Sequence, residues 1–370
     1  MIAANSNRKQ FDPSSPARVA VVGAGYFSQF HHRGWAAEPS AKLVAICDSN
    51  EQASRSAAQN FAGCQSFTSA EQMLSVLDAD VIDIVTPPAT HAALITLCVG
   101  KGKHVICQKP FASNYSEALE LTNLAASKGV DLLIHENFRF MPWYREAKRL
   151  IDSGQLGRLH SAMFRLRPGD GQGADAYLSR QPYFQNMRRF LVVETAIHFI
   201  DTFRYLMGEV VAVYARLRRV NPAIAGEDAG VIVFEFANGS TGILDANRCN
   251  DHVATNPRRT MGEMWLEGET RTLRLDGEAR LWLKPHQGEE REHDYVRQSA
   301  NDGDFGGGAC GALQAHALSF FSRSAAGENR AVDYLINLRI QEAIYASHES
   351  GKRIVVESFS PPSSSLLPTL

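Results

Sequence analysis

The 370 residues carry 38 Lys and Arg against 40 Asp and Glu, a formal net charge of -2, and 44% of them are hydrophobic. A balance this close to neutral excludes a general polyanion binder such as a nucleic-acid coat, and no apolar run reaches the length of a membrane-spanning helix. The length allows two domains with separate cores. Cys47, Cys64, Cys98, Cys107, Cys249 and Cys310 are scattered without a CxxC pair, which predicts free thiols in a reducing cytoplasm, no cysteine zinc site and no bound metal.

Residues 1–16 lack the apolar core of a secretory signal and read as a flexible leader. Val19 to Val22 is a short apolar run, Gly23 and Gly25 allow a tight turn, and Tyr26 and Phe27 lead into a helical segment. Strand, turn and helix in this order aim main-chain N–H groups at an anion and let a pyrophosphate approach the backbone. Ser28 takes the third small position, where a glycine or alanine gives the closest helix packing; serine is small enough to fit. Asp48 closes a second apolar run about twenty residues past the turn, where an acid accepts hydrogen bonds from a ribose. Ser49 and Asn50 follow it with no arginine to accommodate a 2′-phosphate, so the pattern predicts NAD over NADP.

Strand and helix signals then alternate. Ser69 to Gln72 reads as a capping box, Val81–Val85 as a buried strand ending at Thr86-Pro87-Pro88, and His91–Lys101 as a helix closed by Gly102. His104–Cys107 is the next strand, Asn114 to Glu117 a second box before a helix that stops at Gly129, and Asp131–Ile134 a further strand. Such alternation predicts an α/β domain over residues 17–137: a Rossmann doubly wound parallel sheet. From residue 138 the texture changes. A helix from Met141 to Ser153 precedes longer strands with hairpin turns at Asn238-Gly239 and Asp276-Gly277, which predicts an α+β domain over residues 138–356 with a large open, mostly antiparallel sheet. Leu191–Met207 and Asp333–Ser350 read as single helices, and residues 357–370 as a loose tail.

Ligands of a doubly wound sheet sit beyond the carboxyl ends of its strands. That assigns Gly23, Gly25, Tyr26, Phe27, Asp48, Thr86, Pro87, His91, Gln108 and Lys109 to the cofactor, with Lys109 held at its strand end by Pro110. In the octet Glu194 to Asp201, helical spacing sets Glu194, His198 and Asp201 along one face, and a carboxylate beside an imidazole fixes its tautomer and suits it to act as a base. Arginines are dense between Phe138 and Val220. Their forks suit an acidic ligand, and Arg139 is assigned with Asp201, Glu194, His198 and Lys109 to the substrate, although interdomain or subunit salt bridges account for the excess as well. Gly169 to Gly173 reads as a mobile loop and a candidate lid.

The series GAGYFS, AICD, TPPATH, QKP and ETAIHFID, in this order and at these separations, resembles the glucose-fructose oxidoreductase, inositol dehydrogenase and MocA (Gfo/Idh/MocA) family of NAD(P)-dependent sugar and polyol oxidoreductases, from about Arg18 to Val356. The resemblance implies dimers or tetramers and a catalytic set that maps to Lys109, Glu194 and His198. Gln108 stands where the family's E-K-P motif has glutamate, and Glu194 where its D-x-x-x-H motif has aspartate. A dehydrogenase acting on a secondary hydroxyl would use His198 as base, Lys109 to hold and polarise the oxygen, and Glu194 to orient the base. Two other functions stay open at this stage: a non-catalytic NAD-binding regulator, kept in view by the altered Gln108 and Glu194, and glycoside cleavage by transient oxidation.

Overall fold

The computed structural model describes residues 15–296 and 305–361. Apart from Ser15 and Pro16, the leader falls outside the described residues, as does the tail beyond Pro361. The described residues divide into two compact units: those up to Asn137 together with Cys310–Leu335, and those of Phe138–Ala309 together with the described residues from Ile336 to Pro361. The sequence reading placed the whole of 138–356 in one domain; residues 310–335 instead pack with the first unit.

The first unit is built on β1 (Ala17–Val22), α1 (Ser28–Ala37), β2 (Ala41–Cys47), α2 (Glu51–Ala58), β3 (Gln65–Phe67), α3 (Ala70–Val76), β4 (Val81–Ile84), α4 (His91–Gly100), β5 (His104–Gln108), α5 (Tyr115–Lys128) and β6 (Leu132–His135). All strand pairs are parallel, in the order β3-β2-β1-β4-β5-β6. The order in which successive strands are added turns around between β1 and β4, which opens the crevice in which such sheets bind ligands. The inner strands β1, β4 and β5 and the edge strand β6 are buried almost throughout, as a sheet covered on both faces requires. Local signals set the helix ends. Ser69 accepts from the Gln72 N–H at 3.3 Å, Asn114 accepts from the Glu117 N–H at 2.9 Å, and Gly129 closes α5 in the left-handed conformation at φ 65°.

The second unit begins with α6 (Pro142–Asp152) and β7 (Leu159–Leu166). A π-helical turn, Leu191–Ala196, then runs into α7 (Ile197–Met207), followed by β8 (Val210–Arg218), β9 (Ala229–Phe236), β10 (Thr241–Asn247), β11 (Gly262–Gly268), β12 (Arg271–Leu275), β13 (Leu281–Pro285) and β14 (Arg291–His293). The chain continues with α8 (Ala309–Phe321), which lies almost wholly in the first unit, then α9 (Ala331–Ser350) and β15 (Ile354–Val355). The sheet has nine strands in the order β14-β13-β12-β11-β7-β10-β9-β8-β15, antiparallel except for β7 with β10. One face carries Phe164 and Phe234, which pack on Phe199 and Phe203 of α7, while Ser347 of α9 accepts from the Ala215 N–H. On the other face Met163, Tyr214 and Val231 are exposed.

Two expectations need correction here. The Asp276-Gly277 hairpin is longer than a two-residue turn. The Asp276 carboxylate accepts from the Glu278 and Arg280 N–H groups at 3.0 Å each and holds Ala279 at φ 58°, so β13 starts only at Leu281. The segment 191–207 is not one α-helix, because it opens with a π turn in which the Ile197 N–H reaches the Val192 carbonyl. Its start is tethered from outside the segment: the Glu227 carboxylate accepts from the Phe190 and Val192 N–H groups at 3.1 and 3.2 Å.

Candidate functional site

In the first unit the glycine turn has the shape its residues demand. Gly23 sits at φ 123°, and a Cβ there would lie 2.2 Å from the Val85 carbonyl oxygen, so no other residue fits. A Cβ on Gly25 would meet nothing within 4 Å, which leaves this side of the turn open for a phosphate. Ser28 fits the third small position and donates its hydroxyl to the Val85 carbonyl at 3.3 Å. His32 lies 3.1 Å from the Gly23 carbonyl, and burial lowers its pKa to about 4, so a neutral ring supports the turn from behind.

Asp48 uses its two oxygens separately. One accepts from the Ala24 N–H at 2.8 Å and the other from the Asn50 N–H at 2.8 Å. Asp48 therefore ties the glycine turn to the end of β2 from a half-buried position. Turn, crevice and acid together fit a dinucleotide. Tyr26 is 46% exposed at the mouth of the turn, and Phe27 precedes α1 with its ring against His31. Thr86 and Pro87 follow β4, where the Thr90 hydroxyl donates to the Thr86 hydroxyl at 2.7 Å. His91 is wholly buried, with its ring nitrogens 2.9 Å from the Thr86 and Pro110 carbonyls. It ties the two loops together from beneath, and burial lowers its pKa against the pull of those carbonyls. Assigned from sequence to the cofactor, His91 is thus a scaffold for the loops.

Lys109 is half-buried at the end of β5, and its main-chain N–H donates to Gln108 Oε1 at 2.8 Å. The Gln108 amide nitrogen lies 3.0 Å from His31 Nε2 and 3.4 Å from His135 Nδ1. His31 Nδ1 is 2.8 Å from Asp83 Oδ2, which also accepts from Trp35 at 2.6 Å. Burial alone would raise the Asp83 carboxyl; its contacts with His31 and Trp35 bring it below the ordinary range.

In the second unit the His198 ring is buried and stacks on Phe138, with centroids 3.9 Å apart and planes within 2°. Glu194 lies in the π turn, where its charge favours the protonated forms of Arg248 and of the Tyr183 phenol. Arg248 is a buried cation. It donates to Asp170 from Nε at 3.2 Å and from Nη2 at 2.7 Å, donates to the hydroxyl of Thr195, and faces the rings of Tyr177, Phe184 and Phe190. Asp170 also takes Arg180 at 3.1 Å, and Asn221 donates to the Gly171 and Gly173 carbonyls at 2.7 and 2.8 Å. The Gly169–Gly173 loop, read as a mobile lid, is instead pinned at both its acid and its main chain. Arg139 and Asp201 do not stay free for a substrate: they form a two-pronged ion pair at 2.7 Å per contact, with Asn337 donating to the same carboxylate at 2.8 Å. Asp201 is 1% exposed, so the pair locks α7 in place. Arg167, Arg180 and Arg189 also form ion pairs, and all four pairs lie within the second unit, so these arginines are spent on salt bridges inside one unit and not on the interdomain or subunit bridges expected.

The cysteines behave as small hydrophobes: all six are free thiols, and burial pushes Cys98 up to about 12 and Cys47 up to about 11. Sequence reasoning missed Asp170, Thr195, Arg248 and Glu227 in the second unit, and His31, Asp83 and His135 in the first. Only the last three left a trace, as polar residues within otherwise apolar helix and strand patterns.

Comparison with known proteins agrees with this geometry. Residues 17–136 match the model of the oxidoreductase family with NAD-binding Rossmann fold, and residues 144–273 the GFO/IDH/MocA C-terminal domain. The chain belongs to the Gfo/Idh/MocA family of oxidoreductases, whose named relatives are dehydrogenases. It is similar to the D-apiose dehydrogenase of Paraburkholderia graminis, 33% identical over 73% of this chain and 70% of that one, and to that of Rhizobium rhizogenes, 30% identical over 71% and 74%. Among solved structures it is similar to an oxidoreductase from Agrobacterium radiobacter in complex with NAD+, L-tartaric acid and magnesium, with a TM-score of 0.84 and 26% identity over 93% of this chain and 99% of that one. A levoglucosan dehydrogenase in complex with NADH and levoglucosan shares the fold at a TM-score of 0.76 and 21% identity, over 92% of this chain and 100% of that one. Among the described residues no helix is long and apolar enough to cross a membrane.

Proposed function

We propose that this protein is an NAD-dependent dehydrogenase that oxidises a secondary hydroxyl of a small sugar or polyol, or reduces the matching ketone. The single observation that carries this reading is Asp48. Its carboxylate is fixed to the glycine turn by the Ala24 N–H and leaves lone pairs for a ribose. Asn50 follows with its own N–H on the same acid and no arginine to counter a 2′-phosphate, which favours NAD over NADP. NAD, when bound, supplies the hydride acceptor.

The chain's own residues do the rest. Gly23, Gly25 and the main chain of the turn take the pyrophosphate, with Tyr26, Phe27, Thr86, Pro87 and Gln108 around the dinucleotide. Lys109 holds the substrate oxygen and tolerates negative charge as it develops. His198, stacked on Phe138, accepts the hydroxyl proton. Glu194, beside Arg248, orients the base or the substrate. The relatives named as D-apiose dehydrogenases support a small sugar as substrate. We further infer a cytoplasmic homo-oligomer in which a second copy covers the open sheet face bearing Met163, Tyr214 and Val231; light scattering that shows a monomer at every concentration sinks this.

The test is NADH absorbance with purified protein across apiose, other pentoses and hexoses, inositols and sugar acids. Turnover with at least one sugar and a preference for NAD is expected. Binding of NAD with no NADH from any of them would favour a regulator, and tighter binding of NADP in parallel titrations would overturn the cofactor assignment.

A further inference from the structure

Where relatives carry glutamate before the lysine and proline, this chain has Gln108, and its surroundings say why. The Lys109 N–H can only donate, so the Gln108 atom 2.8 Å from it must be the amide oxygen. That fixes the orientation of the amide. Its nitrogen therefore points at His31 Nε2 (3.0 Å) and His135 Nδ1 (3.4 Å), and an amide nitrogen can only donate. Both ring atoms must then be unprotonated acceptors. His31 carries its proton on Nδ1 and donates it to Asp83; His135 carries its proton on Nε2. Every ring in this cluster is buried, and the two imidazoles lie against each other with centroids 4.0 Å apart and planes tilted by 35°.

We propose that Gln108 is a positioning residue for Lys109: one amide accepts the lysine's main-chain N–H while its two N–H groups hold His31 and His135 as neutral, single-tautomer acceptors. A carboxylate offers no donor and could not do both. This rests on the dehydrogenase reading only for its effect on rate; the proton positions stand apart from it. His31, His135 and Cys310 place one donor atom each within 4.8 Å of one another, a spacing that invites a metal. The hydrogen bonds argue against one, because the Gln108 amide already takes the His31 Nε2 lone pair and Nδ1 of the same ring faces Asp83.

The titratable groups packed against His31 are Asp83 of β4, His135 of β6, Cys310 of α8 and its neighbour His32. In Gln108→Glu, His31 lies between two carboxylates and takes up a second proton, so the Lys109 anchor survives only while that imidazolium persists. Its kcat should fall as pH rises through the neutral range. Gln108→Met, which anchors nothing, should lose about tenfold or more in kcat at every pH.

Nitrogen-15 NMR of histidine-labelled wild-type protein decides the point without any variant. At pH 7 it should show His31 neutral with the proton on Nδ1 and His135 neutral with the proton on Nε2. An imidazolium at either position, or a stoichiometric transition metal in the purified protein, overturns the proposal. So does a wild-type kcat in Gln108→Met, or a Gln108→Glu pH profile of wild-type shape. If no sugar is turned over at all, the function reading fails while the NMR result still judges the clamp.

Discussion

The two units build their sites in opposite ways. In the first, much of the cofactor crevice is made by devices close in sequence: an acid at the next strand end, 24 positions from the turn it holds, and caps three residues from the groups they satisfy. In the second, the helix that carries Glu194 and His198 is held by partners far away in sequence. Asp170 grips Arg248 across 78 positions, Arg139 meets Asp201 across 62, and Glu227 tethers the π turn from 35 and 37 positions downstream. A site built locally tolerates changes elsewhere, whereas one built from buried long-range charge depends on each of them.

The largest expected effect lies in the second unit. His198→Ala removes the assigned base and should lower kcat by about 10²–10⁴-fold while NAD binding, carried by the first unit, stays nearly intact. Steady-state kinetics beside an NAD titration checks this, and normal turnover removes His198 from its role.

Next comes Arg248→Met. It leaves Asp170 buried with one cation fewer and releases Thr195 next to Glu194, so a loss of about 3–5 kcal/mol is expected on top of a fall in activity. Urea unfolding measures the first, and a stability within about 0.5 kcal/mol of wild type would show that Arg180 alone satisfies Asp170.

The same contrast explains what could be read in advance. The Rossmann sheet, the Asn238-Gly239 hairpin and the tight turn at Gly23 were legible, because each rests on a pattern of neighbours: apolar runs, glycines and capping residues. The octet around His198 was visible as a motif but its mechanics were not. Helical spacing placed Glu194, His198 and Asp201 on one face and offered Asp201 to a substrate, whereas a bidentate arginine from Phe138-Arg139-Phe140 takes that carboxylate and buries it. Nothing near Leu191 announces a π turn, since the groups that tether it belong to Glu227. The supposed lid failed for the same reason: glycines at 169, 171 and 173 suggest mobility, and only Asn221, Arg180 and Arg248 reveal that the loop is tied down.

A pair of glycine changes sharpens the local side of the comparison. Gly23→Ala drives a Cβ into the Val85 carbonyl at a φ that alanine avoids, so it should cost about 1–3 kcal/mol of stability as well as NAD binding. Gly25→Ala meets no protein atom and should leave stability unchanged while weakening NAD alone. If both variants unfold together, the open side of the turn is not reserved for the cofactor.

The smallest effect is a pH slope. Burial pushes the Glu227 carboxyl above its ordinary range, against hydrogen bonds from Tyr345 and from the Val192 and Phe190 N–H groups. An acid whose folded pKa is raised contributes stability that is fully present below its unfolded value and is lost as pH rises through the folded one. Glu227→Gln keeps an acceptor for the tethered N–H groups but cannot ionise. Its stability relative to wild type should therefore improve between about pH 5 and about pH 8, whatever the offset at the lower pH. Denaturant unfolding of both proteins at the two pH values gives the slope. Parallel slopes would mean that the tether is indifferent to charge, and that the π turn is held by hydrogen-bond geometry alone.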